Sequence, residues 1–103
     1  MTLIVRQQAD DDVTDLTTLI AATSPRTAVR FVDRLNRTFR LLEAFPHLGS
    51  ALPAALAPDP ALRFMTMRRY HRVVIVYLPL SDGVEIVRVV EGNRDLAAVL
   101  GDP

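Results

Sequence analysis

Cysteine is absent from the 103-residue sequence, which removes disulfide frameworks, thiolate nucleophiles and cysteine-based metal sites and fits a reducing cytosol. Lysine is absent too, so every one of the twelve cations is an arginine, a permanently charged, bidentate donor. An excess of either sign is missing: twelve acidic residues balance the arginines, and the molecule as a whole offers no general attraction to a nucleic-acid backbone or an anionic membrane. Any basic site must be local. With only four glycines there is no glycine-rich phosphate loop, and no serine is flanked by the glycines of a nucleophile elbow. No apolar run approaches membrane-spanning length, and Met1 to Arg6 lacks the apolar core of a signal peptide, so the protein is expected in the cytoplasm.

What is present is enough apolar content, half of all residues, to fill one core, and residues 1–103 are expected to form one domain. Thr2 to Arg6 predicts a short strand. Asp10, Asp11 and Asp12 crowd what reads as the first turn of a helix, where they meet the positive end of its dipole, and Val13, Leu16, Leu19 and Ile20 follow at helical spacing. Consecutive helical aspartates point in different directions, so no metal site is expected there. Ser24-Pro25 pairs an N-cap serine with a proline at the first helical position, and Ala28, Phe31, Val32, Leu35, Phe39 and Leu42 keep one face apolar. Phe45 extends that stripe before Pro46 stops the helix. Ser50 to Ala61, rich in alanine and proline, reads as a loop across the surface. Three strands are predicted next, Leu62 to Arg68, Arg72 to Leu78 and Val84 to Val90, the last two joined through Ser81-Asp82-Gly83 as a hairpin. Val73 to Leu78 is apolar on both faces, as a central strand should be. Asn93 to Leu100 has weak helical character.

The arginines are the residues with chemical potential. On a helical wheel Arg26, Arg30, Arg34, Arg37 and Arg40 fall within roughly 120° of arc opposite the apolar stripe. That face is either plain solvated surface, with Asp33 set to pair with Arg37, or a docking face for an acidic partner or nucleic acid. On the sheet half, Arg63, Arg68, Arg69, Arg72, Arg88 and Arg94 cannot share a single patch, because strand neighbours alternate faces. Arg68, Arg69 and Arg72 are the densest group. Arg88 interrupts an otherwise apolar strand and needs an acid, with Glu91 or Asp95 the expected partner. The two histidines, His47 and His71, are not at metal-ligand spacing.

Pro25, Ala28, Phe31, Leu35 and Leu42 lead to Pro46 and Gly49; then come Leu62-Arg63, Tyr77, Gly83-Val84-Glu85-Ile86-Val87-Arg88-Val89, and Gly92 with Arg94-Asp95-Leu96. This ordered series resembles the ParE toxins of the RelE/ParE superfamily of bacterial type II toxin–antitoxin systems. The resemblance implies an α+β fold of order β-α-α-β-β-β, a short first strand and a helical hairpin packed on a curved antiparallel sheet. It further implies a ParD-like antitoxin that lays a segment across the toxin, DNA gyrase as the target, and no catalytic residue, cofactor or metal. Antitoxin or target contacts are expected among Arg63, Arg68, Arg69, Arg72, Arg88, Glu91 and Arg94, with no sequence-specific nucleic-acid binding. RelE-like relatives instead cut messenger RNA on the ribosome, which needs acid–base groups near the end of the sheet. No histidine or tyrosine follows Tyr77 here, and Glu91 stands where the family often carries histidine. Arg68, Arg69, His71 and Glu91 forming an unusual nuclease site is the enzymatic alternative, and a non-toxic degenerate member is the third.

Overall fold

The computed structural model describes residues 1–67, 69–92 and 96–101. In chain order these form β1 (Thr2–Val5), α1 (Gln7–Thr23), α2 (Pro25–Ala44), β2 (Ser50–Ala51), β3 (Arg63–Met67), β4 (Tyr70–Leu80), β5 (Gly83–Glu91) and α3 (Leu96–Gly101). The sheet runs β1-β5-β4-β3-β2. The meander β3–β4–β5 is antiparallel as expected, but β1 lies parallel to β5, which makes the five-stranded sheet mixed. Hydrophobic periodicity carries no information on strand direction. Between β1 and β5 the chain passes through α1, α2, β2, β3 and β4, a connection long enough to bring the first strand beside the last in parallel.

The α2 start is as expected: the Thr27 N–H donates to Ser24 Oγ at 3.2 Å, with Pro25 at the first helical position. Ala28, Phe31, Leu35, Phe39 and Leu42 are all buried. Phe45 does not extend that stripe. As the cap residue it leaves helical geometry (φ −131°, ψ 76°), losing the helical phase, and it is 60% exposed. In α1 the helix begins at Gln7, a turn's length before the aspartates, so Asp10 alone of the three lies in the first turn. Ala9 is buried, with Val13, Leu16 and Ile20 packed against the core beside it. Leu19, expected on that face, is 65% exposed.

β4 is the central strand, and its two faces serve two cores. Val73, Ile75 and Tyr77 pack beneath α1 and α2 with Phe31, Leu35, Phe39 and Leu42. Val74 and Val76 face the other way, onto Leu52, Leu62, Val87 and Leu100. The alanine- and proline-rich stretch is therefore a cover as well as a loop. Its ends are tied by Leu52 N–H to the Leu62 carbonyl (3.2 Å), and each buried leucine contributes about 1.5–3 kcal/mol.

Two glycines are demanded by close approach. A Cβ on Gly83 would run into the backbone of Thr2, which crosses there to pair with the hairpin turn through Thr2 N–H to the Asp82 carbonyl (2.9 Å). A Cβ on Gly49 would overlap the Phe64 carbonyl and lie 2.7 Å from Tyr77 Oη, which accepts the Gly49 N–H at 2.9 Å. β5 carries a bulge: Arg88 pairs with Val76 but Ile86 with Tyr77, so Val87 has no partner. The extra residue resets the alternation. Ile86 and Val89 both reach the helix-covered core, and Arg88 is taken off that face.

Candidate binding site

β1 ends where Arg6 N–H donates to the Ile86 carbonyl (3.0 Å), and the chain turns into α1. Beyond that point the outer edge of β5 has no strand beside it. Asp12 of α1 takes the strand's place. Its Oδ2 accepts the Val89 N–H at 3.0 Å, and its two oxygens hold Arg88 bidentately, Nε at 2.8 Å and Nη2 at 2.9 Å. The side chains are only 18% (Arg88) and 13% (Asp12) exposed. Hydrogen bonding to Asp12 raises the guanidinium pKa above its ordinary value, against the opposing effect of burial.

The expected pairing of Arg88 with Glu91 or Asp95 is thus corrected. The bulge takes Arg88 off the helix-covered face, and at the open edge of β5 its guanidinium meets Asp12, a carboxylate that also satisfies the strand's own N–H. Asp95 itself lies outside the described residues. The expectation that all three aspartates serve the helix dipole is corrected with it, since Asp12 is fastened to β5 and Asp11 accepts from Gln7 Nε2 at 2.9 Å.

Arg63 sits at the start of β3, remote from the other candidates. Its Nη2 donates to the carbonyls of His47 (3.1 Å) and Gly49, clipping the turn after α2 onto the sheet. This is a structural contact made across 16 and 14 residues of chain. Arg68 and Arg94 lie outside the described residues. His71 belongs to β4.

The structure brings Arg69, Arg72 and Glu91 together. They border a groove of about 320 Å³ whose apolar floor is Leu16, Leu19, Ile20 and Val73. Leu16, Leu19 and Glu91 also line its continuation along the α1–β5 seam to Asp12, Asp15 and Arg88. Arg69 and Arg72 are exposed and make no ion pair among the described residues. Arg69 also has φ 70°, in the left-handed region that favours glycine, within the turn that closes Met67 onto Tyr70. A side chain there costs about 1–2 kcal/mol, and strain of that kind concentrates at functional positions. The open leucine and the two free guanidiniums suit an extended or helical segment that carries apolar and acidic side chains. Among the described residues no group of three or more histidine, cysteine, aspartate or glutamate side chains could hold a metal ion.

Sequence reasoning missed Asp12 and the outward turn of Leu19. The first has its partner 76 residues away, and no local pattern signals such a contact. Leu19 could have been found by asking which single stripe passes through Ala9, Val13, Leu16 and Ile20, because it falls beside that stripe.

Residues 3–96 match the family model of the ParE toxin of the type II toxin–antitoxin system parDE. The chain belongs to the ParE toxin family. A solved structure of the chromosomal ParDE toxin–antitoxin system from P. aeruginosa shares the ParE fold seen here, with a TM-score of 0.72 over 88% of this chain and 95% of that one. At 17% identity the likeness is one of fold. No curated protein sequence matches the chain significantly. Among the described residues no helix of this ParE family member is long and apolar enough to cross a membrane.

Proposed function

We propose that this ParE family member arrests growth by binding DNA gyrase without chemistry of its own, and that a co-encoded ParD-like antitoxin neutralises it by seating an apolar, acidic segment in the groove between α1 and the sheet end. The observation that carries this reading is the groove itself, an apolar floor rimmed by Arg69 and Arg72, neither of which is ion paired among the described residues. Cleaving RNA would need free cations for the phosphate and an acid–base pair beside them. Arg69 and Arg72 are cations of that kind, but among the described residues lining the groove Glu91 is the one acid–base side chain beside them, and a carboxylate there repels a phosphate backbone, which supports binding over catalysis.

Supercoiling assays with purified, antitoxin-free protein test the target. Inhibition with a trapped cleavage complex is expected; normal supercoiling at high protein concentration overturns gyrase as the target. Codon-positioned cuts in transcripts on expression would favour the ribosomal nuclease instead. The antitoxin half is tested separately by co-expression with the neighbouring short reading frame. Co-purification is expected, weakened at least tenfold when Arg69 and Arg72 are both replaced by glutamate. Unchanged affinity in that variant places the segment elsewhere.

A further inference from the structure

The groove leaves one strongly charged surface unused, the outer face of α2. Arg26, Arg30, Arg37 and Arg40 are exposed and Arg34 is half-buried. They follow one another every three or four residues, so the row advances about 4.5–6 Å per arginine and extends about 21 Å from Arg26 to Arg40. Asp33 is the one acid inside the arc and pairs with Arg37 at 3.3 Å. Five arginines less one aspartate leave a net four positive charges, and among the described residues none of the other four arginines is ion paired.

We propose that this row is a sequence-independent docking rail for the phosphate backbone of duplex DNA. It stands apart from the gyrase and antitoxin assignments and depends on neither. The five guanidiniums form a band that spreads over roughly 120° of the helix surface and steps about 4.5–6 Å along its axis, and each can take one anionic phosphate as a bidentate donor. The arc holds no aromatic ring, so it has no platform on which the bases of a single strand would stack. It holds no asparagine or glutamine to read adenine edges, and a band of cations makes most of its contacts to phosphate, so the backbone dominates the contact. An acidic polypeptide would be held by an apolar anchor as well as charge. The arc offers only Leu41, which falls between Arg30 and Arg34 on the wheel, with Val29 just beyond the Arg40 border, whereas the groove beside α1 offers a full apolar floor. The balanced charge of the whole chain gives no long-range help. Binding is therefore weak, with a dissociation constant of about 10⁻⁴–10⁻⁶ M at physiological salt, and steeply salt-dependent.

Fluorescence anisotropy of a labelled, mixed-sequence duplex against the purified protein, titrated from about 50 to 200 mM salt, reads both affinity and slope. A slope of log K against log salt of about −3 to −4 is expected. Arg30→Gln, Arg34→Gln and Arg37→Gln combined should weaken binding at low salt at least tenfold and flatten the slope by about 2.7, while Arg69→Gln with Arg72→Gln leaves both unchanged. Glutamine matches arginine in helix propensity, and circular dichroism verifies that the triple variant is folded. The proposal is overturned by no saturable binding at low salt, by equal binding of the folded triple variant, by tighter binding of a single-stranded oligonucleotide, or by poly-glutamate binding through the same arginines when the duplex does not bind.

Discussion

Arg88 and Arg69 lie on the same half of the sheet, yet their surroundings are opposite. Around Arg88 everything is closed: Asp12 answers the guanidinium twice and the Val89 N–H once, and both side chains are largely out of water. Around Arg69 everything is open: among the described residues the guanidinium has no ion pair, its backbone is strained, and the leucine beside it faces solvent. A cation closed in this way holds elements together, and one left open at a cost in stability is available to something outside the chain. The described arginines of the sheet half therefore divide into fasteners, Arg63 and Arg88, and the exposed Arg69 and Arg72, which the proposed antitoxin segment would meet.

That division can be broken most forcefully at Asp12. Asp12→Ala strands a largely buried guanidinium and an unpaired Val89 N–H, and should lower the unfolding free energy by about 3 kcal/mol in urea titration. A loss under 1 kcal/mol would mean the closed side is no fastener. Arg88 keeps its charge throughout, because its folded pKa is raised above the unfolded value. Its contribution is complete at every pH below the ordinary guanidinium range and is lost only above it, so the Asp12→Ala deficit should not change from about pH 6 to pH 9. Arg63→Ala should cost about 1–2 kcal/mol, since the His47 and Gly49 carbonyls lose their donor. On the open side the sign reverses. Arg69→Gly should raise stability by up to about 1 kcal/mol by relieving the positive φ, while weakening antitoxin capture severalfold. A variant both less stable and equally well captured would show that Arg69 belongs with the fasteners. Arg72→Gln should change the unfolding free energy by less than about 0.5 kcal/mol, its effect appearing in antitoxin affinity alone.

Much of this fold is legible in the sequence where the determinants are local. Ser24 and Pro25 start α2 because cap and first-turn chemistry act over three or four residues, and Val73 to Leu78 reads as central because both faces of the run are apolar. What the sequence conceals depends on distant partners. The parallel seat of β1 and the grip of Asp12 on Arg88 each join segments far apart along the chain, where no spacing rule reaches, and the bulge at Val87 is set by hairpin register, which hydrophobic alternation does not fix. Phe45 and Leu19 mislead for a smaller reason, since each is apolar and near the right phase, but one lies past the helix end and the other beside the stripe. Of the candidate residues, Arg69, Arg72 and Glu91 are drawn into one groove by the return of β4 and β5, whereas Arg63 is carried to the far end of β3.

The parallel seat of β1 also sets a timetable. Thr2 closes on Asp82, 80 residues later, and Asp12 on Arg88, 76 residues later, whereas the helical hairpin needs only neighbours close in sequence. During synthesis the hairpin can form early, but its sheet partner β5 is made only after β2, β3 and β4, and contacts of such long range close slowly. The α1–β5 seam and the groove that continues from it are then completed only once β5 has emerged. A truncated translation product would carry the helices and the arginine row of α2 without an assembled groove.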